Sequence, residues 1–364
     1  MDKVVLDLYT DYLISSVGQV TATGLSALLD GSISHDRISR FLAADTFTSA
    51  DLWRMVKPLV REVQSQDAVL IIDDTVEAKP YTDESELICW HFDHTVGKSV
   101  KGINLLSALY QTTWQGQEVS VPVAFELIRK PDLVLDPKTG REKRQSKVTK
   151  NDLFRQVLST CWRNSLPFRY VLADAWFSST ENMVFIKQEL KRDFILPLKS
   201  NRKVALSGED KKRDRYVTLS SLEPDPDATL LIWLEGVPFA LLLVRQVFKN
   251  EDGTEGVQYL VSSDTELTAE RMKTIYQRRW KVEEFHKSVK SNLAFAKSPT
   301  KTVRTQSNHV FAALIAFVKL ERLKLNVRMN HFAIKAKLQL AALKASYQQY
   351  QQLQAVRQVN CSPA

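Results

Sequence analysis

A chain of 364 residues, 44% of them hydrophobic and 25% charged, with no apolar run of 18 residues, suits a soluble globular protein of two or three domains and argues against a membrane span. Cys89, Cys161 and Cys361 are too scattered for a metal-ligand pair or a disulfide framework, and the opening MDKVVLDLYTDYL lacks a basic-then-apolar signal pattern, so a reducing, cytoplasmic setting is expected. The net charge of +8 is concentrated: residues 271–304 hold ten Lys or Arg against two Glu, the remainder of the chain balances, and such a segment suits a polyanion such as nucleic acid.

Residues 1–66 read as helices separated by short breaks, an expected DNA-binding region. Within them TATGLSALLDGSISHDRISRFLA (Thr21–Ala43) has a helix-turn-helix layout: an apolar helix, a break at Gly31, and Ser34 as the cap of a second helix. That second helix would present His35, Arg37 and Arg40 outward, as a recognition helix does in the major groove. A plain helical hairpin is the other reading, because residues 1–66 carry six bases against eight acids.

From Asp67 the texture changes. QDAVLIIDDT (Gln66–Thr75) is a short apolar run ending in acids, and Lys101–Ile128 reads as two strands joined by a Gln-Gly turn. The run KTGREKRQSKVTK (Lys138–Lys150), six bases against one acid, reads as an exposed loop. A helix over Asn151–Asn164, a second apolar run ending in an acid at RYVLADAWFSS (Arg169–Ser179), a helix over Thr180–Lys191 and a strand over Asp193–Ser200 follow. Residues 201–263 alternate as a mostly β insert of several strands. Residues 265–293 read as a helix, and the remainder is helical, ending in the Gln-rich YQQYQQLQ, expected to fray.

The helix over 265–293 contains YQRRWKVEEFHKSVK (Tyr276–Lys290). At about 100° per residue, Tyr276, Arg279, Glu283, Lys287 and Lys290 share one stripe, while Ile275, Val282, Phe285, Val289 and Leu293 form a neighbouring stripe that would face the core. A solvated face stitched by Glu-to-Lys pairs accounts for Glu283 and Lys287, four apart. It does not account for a Tyr and an Arg in the same stripe.

Two apolar runs that end in acids, LIIDDT and VLADAW, and a third acid on a helix, Glu283, form a chemical pattern. Ligand sites in sheets bordered by helices lie where strands finish. Three carboxylates so placed can hold two divalent cations about 4 Å apart, activating a hydroxyl on one side of a phosphate and stabilising the leaving oxygen on the other. Oxygen-only ligands favour Mg²⁺ or Mn²⁺ over zinc.

Tyr276, Arg279, Glu283 and Lys290 match Y-x2-R-x3-E-x6-K, and in this the chain resembles bacterial insertion-sequence DDE transposases of the insertion-sequence-four type. IDDT (Ile72–Thr75) resembles that family's first-Asp motif and LADAWF (Leu172–Phe177) its second; order and spacing agree over about Asp67–Leu323. The resemblance implies an α/β, ribonuclease-H-like core, residues 67–200 and 264–325, interrupted by the β insert at 201–263, with helical regions at 1–66 and 326–364. It implies cut-and-paste transposition on double-stranded DNA, which in the best-known relatives passes through a hairpin, by a homodimer bridging the terminal inverted repeats of an element before joining them to target DNA. It places Asp74, Asp174 and Glu283 at the metals, two Mg²⁺ or Mn²⁺ ions per site, and Tyr276, Arg279 and Lys290, with Lys287 and His286 beside them, on phosphates. Of Asp73 and Asp74, alternation on a strand turns only one toward the metals, and the family alignment favours Asp74. A hairpin-forming relative stacks an extruded base on a Trp of the inserted region; here Tyr259 and Trp233 are the rings at hand. Asp93 and His94 match no family role. A transposase-derived DNA-binding protein without activity is the alternative, and the intact Asp74, Asp174 and Glu283 weigh against it.

Overall fold

The computed structural model describes residues 1–93, 96–137, 140–226, 228–249 and 253–359. Cys361, His94 and Lys138 lie outside the described residues. In chain order the first half comprises α1 (Lys3–Ser15), α2 (Ala22–Leu28), α3 (His35–Leu42), α4 (Ser49–Val63), β1 (Val69–Ala78), β2 (Cys89–Asp93), β3 (Lys98–Trp114), β4 (Gln117–Leu127), β5 (Asp132–Leu135), β6 (Glu142–Gln145), α5 (Lys150–Arg163) and β7 (Tyr170–Leu172). The second half comprises α6 (Thr180–Val184), β8 (Asp193–Leu198), β9 (Lys203–Ala205), α7 (Gly208–Lys212), β10 (Val217–Thr218), β11 (Thr229–Leu234), β12 (Leu241–Lys249), β13 (Glu255–Ser262), α8 (Ala269–Gln277), α9 (Trp280–Asn292), α10 (Val303–Val327) and α11 (His331–Val359). The chain divides into two compact units, Phe47–His286 and Met1–Thr46 with Lys287–Ala364.

The unit Phe47–His286 is built on a mixed sheet of eleven described strands, in the order β10-β9-β11-β12-β13-β8-β7-β1-β3-β2, with β4 also paired to β3. Val69–Ile72 are fully buried, as a strand covered on both faces requires. β1 runs antiparallel to β3 and parallel to β7, and β7 runs parallel to β8; α5 and α6 lie on the two crossovers. The strands of residues 203–262 continue the same sheet, because β13 pairs with β8. The β3–β4 turn falls at Gln115-Gly116, both with positive φ (48° and 73°), the two-residue geometry that matches strand twist. α4 also belongs to this unit: Ser49 Oγ donates to the Phe125 carbonyl at 2.6 Å.

Pairing between β1 and β7 covers only Val69–Ile71 against Tyr170–Leu172, whereas β1 stays paired with β3 through Ala78. The sheet therefore opens on one side of β1 at Ile72, directly before Asp73 and Asp74.

Three elements differ from their sequence expectations. Part of the basic run expected as a loop belongs to a two-stranded ribbon, β5–β6, closed by backbone bonds between Asp136 and Arg141 and between Gly140, at φ 66°, and Asp136. The single helix expected over 265–293 is two, α8 and α9. Across the break, Arg278, Arg279, Lys281 and Val282 each donate three residues back, a tightened turn in place of the α ladder. The Gln-rich segment is helical within α11 rather than frayed.

In the other unit, α10 is the centre. Tyr9 Oη and His309 Nδ1 are 2.9 Å apart, His309 Nε2 donates to the Ala294 carbonyl at 3.0 Å, and Asn308 Nδ2 donates to the carbonyls of Leu42 and Ala44 at 3.0 and 3.1 Å. Glu321, fully buried, lies 2.7 Å from Lys324 Nζ and 2.9 Å from His331 Nε2. The expected recognition helix is α3, capped by Ser34 Oγ on the Arg37 amide, with Gly31 at φ 73° before it. Arg37 is ion-paired with Asp2 at 2.8 Å, and Arg40 is exposed in the last turn.

Candidate active site

Three segments of the unit Phe47–His286 bring acids together. β1 supplies Asp73 and Asp74, the turn after β7 supplies Asp174, and α8–α9 supply Tyr276, Arg279, Glu283 and His286. The helical periodicity read from sequence holds across the break: Ile275, Val282 and Phe285 are buried. Arg278 fixes the break, donating through Nη1 to the Asp67 carbonyl at 2.9 Å, through Nη2 to the Gln111 carbonyl at 2.8 Å, and through Nε to the Gln111 side chain. The signature helix is thereby tied to the start of the strand that carries the first acids.

Asp73 is 9% exposed, and ligand atoms of Asp73, Glu283 and His286 lie within 4.8 Å of one another. Arg279 reaches the same carboxylates, with Nη1 3.6 Å from Asp73 Oδ2 and 3.4 Å from Glu283 Oε1. Burial, followed by the charges of Asp174, Asp74 and Glu283, pushes the Asp73 carboxyl well above the usual range against the pull of Arg279. Asp174 is raised too, by burial and by the charge of Asp74, although its Oδ1 accepts the Trp176 amide at 3.0 Å. Tyr276 is buried and its hydroxyl donates to the carbonyl of Ala173, the residue before Asp174, at 3.3 Å. That contact positions the Asp174 turn.

Asp74 is placed differently. Its Oδ2 accepts Lys150 Nζ at 2.6 Å and Asn104 Nδ2 at 2.9 Å. The two neighbours thus differ as strand alternation demands: Asp73 joins Glu283, and Asp74 takes Lys150. Lys150 also stands 5.7 Å from the ring of Trp176, as does Lys199, and the Trp176 indole is 46% exposed. Phe92, Asn104, Lys130, Arg144, Lys150 and Trp176 share a pocket, so cations and aromatic rings adjoin the acids.

The donor set suits a divalent cation. Several carboxylates crowd around one guanidinium, and burial together with the neighbouring acids disfavours the charged form of Asp73, a penalty that a bound divalent cation would offset.

Neither ring expected to stack a base stands among these groups. Tyr259 is buried in β13, its hydroxyl on the Leu222 carbonyl at 3.4 Å, and Trp233 lies on β11, five strands from β1, about 24 Å along the sheet. Lys287 and Lys290 continue α9 within the other unit, where Lys287 Nζ is 5.3 Å from the ring of Phe332. Asp93 ends β2, its Cα opposite Lys98. Sequence reading passed over Trp176, two residues past Asp174; Lys150, taken as loop charge; and the Glu-x-x-His spacing of Glu283 and His286.

Comparison with curated proteins returned no match. Among protein families, residues 2–217 match the one described as DDE superfamily endonuclease, and residues 128–318 match the one described as Transposase DDE domain. Each match spans more than half of the chain, so the chain belongs to the DDE superfamily, whose transposases and endonucleases bind DNA and use divalent metal ions.

Proposed function

We propose that the chain is a cut-and-paste transposase of the insertion-sequence-four type, cleaving the ends of its element and joining 3′-hydroxyl ends to target DNA. The observation that carries this reading is the meeting of Asp73, Glu283 and Arg279 beside Asp174, at the place where β1 and β7 part. Asp73, Asp174 and Glu283 would hold two Mg²⁺ or Mn²⁺ ions; Asp74, favoured by motif alignment, is the alternative first ligand. Such ions, when bound, activate a water or hydroxyl and stabilise the leaving oxygen.

The protein's own groups do the rest. Arg279 holds Asp73 and Glu283 together and offers positive charge to a phosphate. Tyr276 keeps the Asp174 turn in place. Lys150 and Lys199 flank Trp176 as phosphate contacts, and on a hairpin route an extruded base would stack on that indole. Lys287 and Lys290 extend the basic stripe along α9 as further contacts. The strand pattern β3-β1-β7-β8 supports a ribonuclease-H-like core with residues 201–263 inserted, and α2–α3, with Arg37 and Arg40, supports reading of terminal inverted repeats by the amino-terminal region. Two copies would bridge the two ends.

Plasmid substrates carrying both element ends, incubated with protein, Mg²⁺ and a supercoiled target, test the proposal. Joined donor–target products are expected. Breaks without any joined strands would replace the transposase reading with that of a nuclease.

A further inference from the structure

We infer that His286 is a metal ligand, and that Asp73, Glu283 and His286 form a mixed oxygen–nitrogen site selective for Mn²⁺ over Mg²⁺. The inference rests on the metal-dependent reading above and refines which residues hold the ion. Glu283 and His286 stand three apart on α9, so both project to one side of the helix. A Glu-x-x-His pair on a helix is a recurring way to present a carboxylate and an imidazole to one metal. Phe285 between them is buried in the core, which fixes the rotation of the helix.

His286 is itself buried at 5% exposure, its ring 5.3 Å from that of Phe285, so the imidazole is held on a rigid element rather than waving in solvent. Asp73 comes from β1, directly after the fully buried run Val69–Ile72. The three ligand atoms fall within 4.8 Å of one another. Around an octahedral ion with bonds of about 2.1 Å, ligand atoms are separated by about 3.0 Å when adjacent and about 4.2 Å when opposite. The bound of 4.8 Å exceeds the opposite-ligand distance by about 0.6 Å, so the three groups are near bonding geometry and would close on the ion as it binds.

Selectivity follows from the donor types. Mg²⁺ prefers oxygen and retains its waters, whereas an imidazole nitrogen suits transition metals. Nothing in the signature read from sequence requires a His at this position; only its meeting with Asp73 across the fold makes it a ligand.

The test is pulsed electron paramagnetic resonance of Mn²⁺ added to the full chain, which detects a directly bound imidazole nitrogen, together with Mn²⁺ and Mg²⁺ titrations by calorimetry. Wild type should show nitrogen modulation that changes in protein grown with ¹⁵N-histidine. His286→Gln should abolish the modulation and weaken Mn²⁺ binding by about tenfold or more, with a smaller effect on Mg²⁺. The wild-type spectrum stands on its own if that variant fails to fold. Mn²⁺ bound to wild type without nitrogen modulation would overturn the role of His286 while leaving the carboxylate site standing. Absence of Mn²⁺ binding, or binding unaffected by Glu283→Gln, would overturn both.

Discussion

Asparagine in place of Asp73 and asparagine in place of Asp74 should shift stability in opposite directions. At 4.8 Å, the bound on its separation from Glu283, Asp73 would feel a repulsion of about 3.5 kcal/mol at an effective dielectric of 20, less the screening of a half-exposed Glu283. Arg279 at 3.6 Å attracts it by about 4.6 kcal/mol on the same scale. One guanidinium thus offsets one carboxylate and leaves the charges of Asp174 and Asp74 against Asp73. Asp73→Asn removes that repulsion, so the metal-free variant should be no less stable than wild type and up to about 2 kcal/mol more stable. Asp74→Asn loses charge-assisted bonds from Lys150 and Asn104 and should cost about 1–3 kcal/mol, roughly 2–10 °C in Tm for a unit of this size. Mn²⁺ at about 100 times its Kd stabilises wild type by about 2.7 kcal/mol. Thermal unfolding with and without Mn²⁺ should show that gain kept in Asp74→Asn and lost in Asp73→Asn. The reverse pattern, with the gain kept in Asp73→Asn and lost in Asp74→Asn, would refute the assignment and return the first ligand to Asp74.

Tyr276→Phe, which removes the hydroxyl from the Ala173 carbonyl, should lower stability by about 0.5–1.5 kcal/mol and slow strand cleavage more than it weakens DNA binding; equal cleavage rates in single-turnover assays would remove its positioning role. Trp176→Ala, which removes a half-buried indole, should lower Tm by a few degrees yet leave the protein folded, and weaken binding of element-end DNA by about 1–3 kcal/mol, read by fluorescence anisotropy below the lowered Tm. Burial alone would raise Glu321, but His331 and Lys324 hold its carboxyl below the ordinary glutamate value. A lowered folded pKa contributes stability that is present above the unfolded value and lost as pH falls through the folded one, so Glu321→Gln should flatten the acid limb of a stability–pH profile.

Much of the architecture was legible because it is written locally. Gln115-Gly116 between two alternating runs is a hairpin signal, the apolar run at 69–72 is a buried strand, and the period of Ile275, Val282 and Phe285 sets the core face of the signature helices. The candidate site was legible as a set of residue types but not as a geometry. Alternation says that Asp73 and Asp74 face opposite ways, yet which way depends on Lys150 and Glu283, residues far along the chain. The break between α8 and α9 hangs on Arg278 reaching Gln111, 167 positions away, which no local pattern encodes. The exposure of Trp176 and the meeting of His286 with Asp73 are likewise products of packing.

The most direct measurement is single-turnover cleavage of a labelled duplex carrying the element end, with Mg²⁺ or Mn²⁺, by wild type, Glu283→Gln and Asp73→Asn at protein concentrations where all three are shown to bind the DNA. Metal-dependent nicking by wild type, with both variants binding the end yet leaving it intact, is the predicted result. Nicking that persists in Glu283→Gln, or a wild type that binds the end and never cuts it with either metal, would contradict the account.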